Sequence, residues 1–335
     1  MQVLADQSVV GQHADVTDRA DISICIVNWN GEALLGPLLR SIEAHSDTLV
    51  VRTIVVDNAS TDGSVEMIRR EFEWVEVVVN AHNAGFAAGN NQAAACANGR
   101  YLLFLNNDTI IRAGALRALV NFLDDHPDFV AVAPRLIGDD GRPQQTVRNL
   151  PTLGALLDQV LIVKWTRLFR QSYEEYRLRR FDPDRSAAVE QVAAAALMVR
   201  REAYEKCGPW DEGYVFGMED VDLCRRLGEC GKIQYLSEAQ IDHLGRISSR
   251  ANRGFVYQAY ECGRARYLGK HEGASAAFVY KLVVTADLPI RMVLLAGAGL
   301  INGVRGRLDK ARDYRDRFVA AGSFLFSGIV RFWRA

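Results

Sequence analysis

The chain sets carboxylates and amides where short apolar runs end. Asn30 follows ISICIVNW (22–29), Asp57 closes VVRTIVVD (50–57), and Asn107-Asp108 close YLLFLNND (101–108). An Asp at a strand tip offers a hard oxygen to Mg²⁺ or Mn²⁺ beside a diphosphate, where the cation would stabilise charge on a leaving group. Asp57 could accept from a base N–H or a ribose hydroxyl. Asn83, followed by Gly85 and Gly89, would let the backbone pass close to a sugar nucleotide. Singly, each of these residues has a plainer role as a turn former or helix cap. Their recurrence at successive strand ends is what points to a ligand rim.

A second group is acidic. Glu219, Asp220 and Asp222 crowd what reads as a helix start in GMEDVDLCRRLG (217–228). Clustered like charges raise one another's pKa, while the helix dipole lowers them. A carboxylate in such a cluster can act as a general base that takes a proton from a hydroxyl. Asp220, with Glu219 beside it, is the catalytic candidate. Asp222, directed elsewhere around the turn, joins the substrate-binding set of Asn30, Asp57, Asn83, Gly85 and Asn107. Helix capping is the plainer role for these acids, and a core position is the plainer role for the lone His243 in DHLG.

The elements that must position these residues alternate. Strands are expected at 22–29, 50–57, 74–80 and 101–108, with helices at 32–44, after 60, and over 85–98. Short apolar strands alternating with helices imply a largely parallel sheet, and open α/β sheets bind ligands at the C-terminal ends of their strands. Residues 135–190 are Arg-rich and aromatic, with Pro143, Pro151 and Pro183 and no strand period, and read as a loop-and-helix excursion. Strand and helix return over 189–208, a helix in the second half of 211–231, and a strand over 232–245.

A dinucleotide-binding domain would carry GxGxxG after the first strand; here VNWNGEALL has one glycine. Instead, VNWNG, VVDNASTDGS, NAGFAAGNN, FLNNDT and GMEDVDLCRR, in that order, resemble the family 2 glycosyltransferases, most closely the bacterial rhamnosyltransferase-like branch. The resemblance spans about 21–250. It implies a GT-A fold, an α/β Rossmann-like architecture with a mostly parallel sheet flanked by helices. It makes Asp57 the pyrimidine contact and Asp108 the metal ligand of a DxD-like Asn106-Asn107-Asp108, whose first acid is replaced by Asn. Asp220 becomes the general base of an ED motif, and His243 a residue that completes the metal site. No QxxRW follows the acids, so one sugar per acceptor is expected, with inversion. The implied reaction takes a nucleotide-sugar donor, rhamnose from dTDP-rhamnose or another UDP- or dTDP-sugar, to a polyprenyl-diphosphate-linked glycan in cell-envelope polysaccharide biosynthesis. A non-catalytic sugar-nucleotide-binding scaffold is the alternative.

Lys and Arg number 40 against 41 Asp and Glu, which gives no reason to expect nucleic-acid binding. Residues 270–335 nevertheless hold eleven Lys/Arg against five Asp/Glu, leaving 29 against 36 in the rest. This basic tail, RGRLDKARDYRDR (305–317) between apolar stretches and RFWRA at the end, reads as an amphipathic helical extension (251–335) lying on an anionic membrane surface. A packed or homo-oligomeric helix is the alternative. Arg167, Arg170, Arg177, Arg179 and Arg180, interleaved with Trp165, Phe169 and Tyr173, could face the same lipid on the acceptor side. Spanning a bilayer needs about 20 apolar residues; Lys281, Asp287, Pro289 and Arg291 interrupt 276–304, so no good transmembrane helix is expected there. Six scattered cysteines and an N-terminal extension (1–20) with acids and no apolar core suggest a cytoplasmic enzyme, peripheral on the inner face of the cell membrane.

Overall fold

The apolar run Ile22–Asn28 forms β1, buried along nearly its whole length, which is why it does not alternate. The computed structural model describes residues 19–46, 48–245 and 253–335. The expected N-terminal extension therefore lies outside the described residues except for Arg19 and Ala20, and so does the boundary at 250. In order, α1 (Glu32–His45), β2 (Val51–Asp57), α2 (Ser64–Glu71), β3 (Val75–Val79), α3 (Phe86–Cys96) and β4 (Tyr101–Asn106) follow β1. Next come β5 (Thr109–Ile111), α4 (Ala115–Asp125) and β6 (Phe129–Ile137).

Strand order in the main sheet is β3-β2-β1-β4 and then β10-β6-β11-β5, where β10 is Ala196–Arg200 and β11 is Lys232–His243. The first four pair in parallel, with Asn28 level with Asp57 and Val27 level with Asn106. Here the expected parallel sheet forms. Beyond β4 the sheet is mixed: β10 runs antiparallel to β4 and β6, and β11 is parallel to β6 but antiparallel to β5. The sheet has apolar packing on both faces. On one, α1, α2 and α4 bury Leu35, Leu38, Ile68, Leu116, Leu119 and Leu123. Each such leucine contributes about 1.5–3 kcal/mol relative to an exposed one. On the other, α3, α8 (Arg201–Cys207) and α9 (Glu219–Gly228) pack around Phe104, Tyr204 and Trp210.

The 135–190 excursion begins within β6 rather than as a loop. It continues through β7 (Val147–Arg148), α5 (Leu153–Leu157), α6 (Leu161–Thr166) and α7 (Arg170–Arg177), and closes at β8 (Ala187–Val189) and β9 (Gln191–Val192). Two strands thus lie wholly inside a segment expected to have none. β7 pairs with β9, and β8 with β11. The C-terminal region is helical: α10 (Arg253–His271), α11 (Ala274–Val304), α12 (Leu308–Ser323), a π turn at Phe324–Gly328 and α13 (Ile329–Arg334). Leu156 and Leu157 of the excursion share a core with Leu268, Tyr280, Leu288, Phe324 and Phe332 of this bundle.

The expectation that 276–304 is too interrupted to cross a membrane needs correction. α11 runs unbroken through Pro289 for 31 residues, and its length and composition suffice for a span. Two of its three charges pair with each other: Asp287 accepts from Arg291 Nε at 2.8 Å and from the Ile162 N–H at 2.9 Å. Only 17% of the most apolar stretch is buried in the protein.

Candidate active site

Strand register makes the rim. With Asn28 level with Asp57, the buried Asn28 amide donates to Asp57 Oδ1 at 3.0 Å and accepts from Asn107 Nδ2 at 2.8 Å. Asp57 also accepts from the Ser60 hydroxyl at 2.6 Å and the Ser60 N–H at 2.8 Å. Ser60 Oγ in turn accepts the Asn30 N–H at 2.8 Å, and Asn30 Oδ1 takes the Thr61 N–H at 2.7 Å. Asn30 holds a left-handed φ of 50°. Asn107, Asn28, Asp57, Ser60 and Asn30 therefore form one hydrogen-bonded chain. Asp57 is 1% exposed, and these contacts turn it toward its own loop.

Asn58 extends the rim. Its amide donates to Gly85 O at 3.1 Å and accepts from Asn80 Nδ2 at 2.9 Å. Asn83 Oδ1 accepts the Gly85 N–H at 2.9 Å, and Gly85 has a φ of 90°, which favours glycine as α3 begins. Gly89 serves packing rather than approach to a ligand: a Cβ there would come within 2.8 Å of the Val27 side chain.

Asp108 and His243 come together because β5 pairs with the end of β11, His243 opposite Thr109. Asp108 Oδ1 lies 3.4 Å from His243 Nε2, and Oδ2 accepts the Gly245 N–H at 3.1 Å. Gln144, which sequence reasoning missed, donates from Nε2 to His243 O at 2.8 Å and places Oε1 2.8 Å from Nδ1. With the amide so assigned, Nδ1 is the donor to Gln144, which would leave the Nε2 lone pair of a neutral ring toward the Asp108 carboxylate. Two lone-pair donors facing each other suit a hard divalent cation between them. Among the described residues no group of three or more His, Cys, Asp and Glu could hold a metal, so a diphosphate and water would complete its coordination. Asn106 fixes the turn, its carbonyl accepting from Thr109 Oγ1 at 2.7 Å.

Two successive left-handed residues, Gly217 (φ 79°) and Met218 (φ 75°), turn the chain into α9. Glu219 and Asp220 share its first turn. Burial, with the neighbouring Asp220, pushes the Glu219 carboxyl up to about 8. Burial also raises Asp220, against N–H groups of Val221, at 2.8 Å, and Ala194 and the charge of Arg148. The adjacent Ala195 carbonyl accepts the Asn106 N–H at 2.9 Å, so one stretch of backbone joins the acids to the strand tip that carries Asp108.

Asp222 departs from its expected place in the substrate-binding set. It is fully buried and pairs with Arg226 Nε at 2.9 Å, His271 Nε2 at 2.8 Å and Lys270 Nζ at 2.8 Å. Burial alone would raise its carboxyl, but His271, Lys270 and Arg226 outweigh it and hold it far below the usual carboxylate range. It clamps α9 to α10. A further residue absent from the sequence reading, Tyr260 of α10, covers the acids. Its ring lies against Gly217, where an added Cβ would sit 2.6 Å away, and burial with the charges of Asp220 and Glu219 pushes its hydroxyl up to about 12. Nothing local in the sequence marks it, because it lies on a separate element. Of the arginine cluster, Arg167, Arg179 and Arg180 are exposed, while Arg170 pairs with Glu174 at 2.8 Å.

Known proteins resemble this chain in sequence and in fold. The model of the family described as Glycosyl transferase family 2 matches residues 23–207. The chain is 26% identical over 244 residues to N-acetylglucosaminyl-diphospho-decaprenol L-rhamnosyltransferase of Mycobacterium tuberculosis, covering 68% of this chain and 74% of that protein. It is 22% identical to rhamnosyltransferase WbbL of Escherichia coli K12, covering 74% and 93%. Two solved structures share the fold. GalNAc-T7 with UDP, GalNAc and Mn²⁺ has a TM-score of 0.55 at 16% identity, covering 75% of this chain and 48% of that one. Mannosyltransferase PcManGT of Pyrobaculum calidifontis with GDP-Man and Mn²⁺ has a TM-score of 0.50 at 18% identity, covering 95% and 88%.

Proposed function

The chain belongs to glycosyl transferase family 2, in its rhamnosyltransferase-like branch, and on that premise we propose that it transfers a single rhamnose from dTDP-rhamnose, with inversion, to a polyprenyl-diphosphate-linked glycan of the cell envelope. The observation that carries the reading is the Ala194-Ala195 backbone, which ties the Glu219/Asp220 pair to the strand tip bearing Asp108. That link sets a proton acceptor and an anion-handling site in one framework.

In this reading the strand-end chain from Asn107 to Asn30 seats the nucleoside diphosphate. Asp108 and His243 Nε2 would hold Mg²⁺ or Mn²⁺, which when bound stabilises charge developing on the departing diphosphate. Burial raises both carboxyls, so the pair gives up its protons in two steps; the Val221 and Ala194 N–H groups and the Arg148 charge favour the first carboxylate on Asp220. Asp220 takes the proton from the acceptor hydroxyl as its oxygen bonds to the anomeric carbon and the bond to the diphosphate breaks. One displacement inverts the configuration.

The tail supports a membrane location. Phe278, Leu282, Val293, Leu300 and Val304 of α11 are exposed, as are Leu308 and Val319 of α12, next to the Arg305–Arg317 basic run. Such a face suits an anionic lipid surface and a lipid-linked acceptor at the cytoplasmic side of the membrane. A donor panel with a short-prenyl diphosphate acceptor tests the reading. dTDP-rhamnose turnover that needs Mg²⁺ or Mn²⁺ and is lost with a chelator is expected. Turnover with no nucleotide sugar would overturn it.

A further inference from the structure

The ribbon of β7 and β9 runs beside the acids. Val147 stands opposite Val192 and Arg148 opposite Gln191, and just past β9 the Ala193 N–H donates to Thr146 O at 2.9 Å. The next residue, Ala194, donates its N–H to Asp220. One turn further along α9, Cys224 Sγ donates to Val192 O at 3.7 Å. Strand alternation sends Val147 and Val192 into the core on one face of the ribbon and leaves Arg148 on the other.

Arg148 is held there without being neutralised. Its guanidinium lies 5.6 Å from the centre of the Tyr176 ring, and one N–H donates to the Tyr176 hydroxyl at 3.3 Å. Tyr176 is itself buried, and its carbonyl accepts the Asn149 N–H at 3.1 Å, which ties α7 to the end of β7. Among the described residues no ion pair takes up the Arg148 charge. Arg226, Arg264 and Arg266, by contrast, are paired with Asp222, Glu261 and Asp211. The Arg148 charge reaches both Asp220 and Tyr260, and its side chain is only partly buried.

A diphosphate-linked acceptor has to bring its hydroxyl to a buried acid pair. Like charges drawn together in a dry site repel strongly unless a cation stands near both. An arginine fork suits that place, because it meets a phosphate with two parallel N–H···O bonds. Arg148 is such a cation: beside the base, still reachable, and with most of its N–H donors left over.

We propose that Arg148 holds the acceptor's diphosphate beside the acid pair, so that the β7–β9 ribbon is the wall on which a phosphate-linked acceptor is recognised. The inference rests on the transferase reading above and adds which residue selects an anionic acceptor.

Calorimetry on the full chain in detergent tests it with two probes. One is a water-soluble short-prenyl diphosphate bearing one N-acetylglucosamine; the other is the same molecule with an uncharged ether bridge in place of the diphosphate. The charged probe should bind at least about tenfold tighter than the neutral one. Arg148→Gln should bring the two within about threefold, with the neutral probe staying within about twofold of its wild-type affinity. Thermal unfolding is followed in parallel; if Arg148→Gln does not fold, Arg148→Met decides on the same ratio. No preference in the wild type, or a preference that survives in a folded variant, overturns the assignment. Equal weakening of both probes marks a structural role and overturns it too. If Arg148 acted on Asp220 alone, the acid limb of the pH–rate profile would move while the ratio stood, which is again a contradiction. dTDP-rhamnose binding on the same samples separates the donor side. A variant that loses donor affinity instead of the ratio places Arg148 on the donor's diphosphate, against the proposal. Wild-type protein that binds no donor marks failure of the transferase reading itself.

Discussion

Glu219 and Asp220 hold adjacent carboxyls on the first turn of one helix, and burial raises both. A base must be deprotonated to act, and burial raises the Asp220 carboxyl, so kcat should already fall as pH drops while still above the ordinary carboxylate range. A rate that stays flat down to about pH 5, near the ordinary carboxylate range, contradicts the assignment. The same shift has a stability sign. The folded protein keeps protons on this pair that the unfolded chain has released, so its contribution declines as pH rises from 4.5 toward about 8. Asp222 has the opposite sign: its ion pairs stabilise the fold above the unfolded value of 3.8 and are lost as pH falls below it. Asp222→Asn should cost roughly 3–5 kcal/mol in denaturant unfolding, because it strands the Arg226 and Lys270 charges against α9. A loss under about 1 kcal/mol would place the clamp elsewhere. The residue types at strand ends were readable because Asp, Asn and Gly there have few structural reasons to recur together. Asn28, Gln144 and Tyr260 were not, since each acts on a partner well removed in the chain and carries no local mark.

The four parallel strands and their helices were legible as elements, because a buried strand writes itself as a short, mostly apolar run. The sequence reading places no element between 109 and 134, yet α4 and β6 form there, Leu116, Leu119 and Leu123 supplying a helical apolar stripe. β10 lies antiparallel between β4 and β6, a pairing that a strand's own residues do not encode. α11 was misjudged for a related reason: Asp287 and Arg291 look like interruptions until their inward, mutually neutralising positions are seen. Packing between elements gives its own prediction. α3 approaches β1 so closely at Gly89 that Gly89→Ala must displace Val27, and overpacking of this kind costs about 1–3 kcal/mol. Chemical unfolding reads it directly; a neutral or stabilising substitution would mean the contact yields freely.

Across the whole molecule, a formal net charge of -1 hides a basic helical tail on an acidic catalytic body. That split predicts that the full chain binds vesicles containing phosphatidylglycerol more tightly than pure phosphatidylcholine, and that salt weakens the difference. Replacing Arg305, Arg307, Lys310 and Arg312 with Gln should remove about 1 kcal/mol of vesicle affinity per charge; cosedimentation that ignores both lipid charge and these substitutions would assign the tail to another partner. The extension also brings Tyr260 against Gly217, and His271 and Lys270 to Asp222, so body and extension pack directly at α9. The most direct test of the acid pair's chemistry is sugar transfer from dTDP-rhamnose by Asp220→Asn, with donor binding followed in parallel. The account predicts a rate about 10²–10⁴-fold lower at unchanged donor affinity; a variant that binds donor and transfers at the wild-type rate would contradict it.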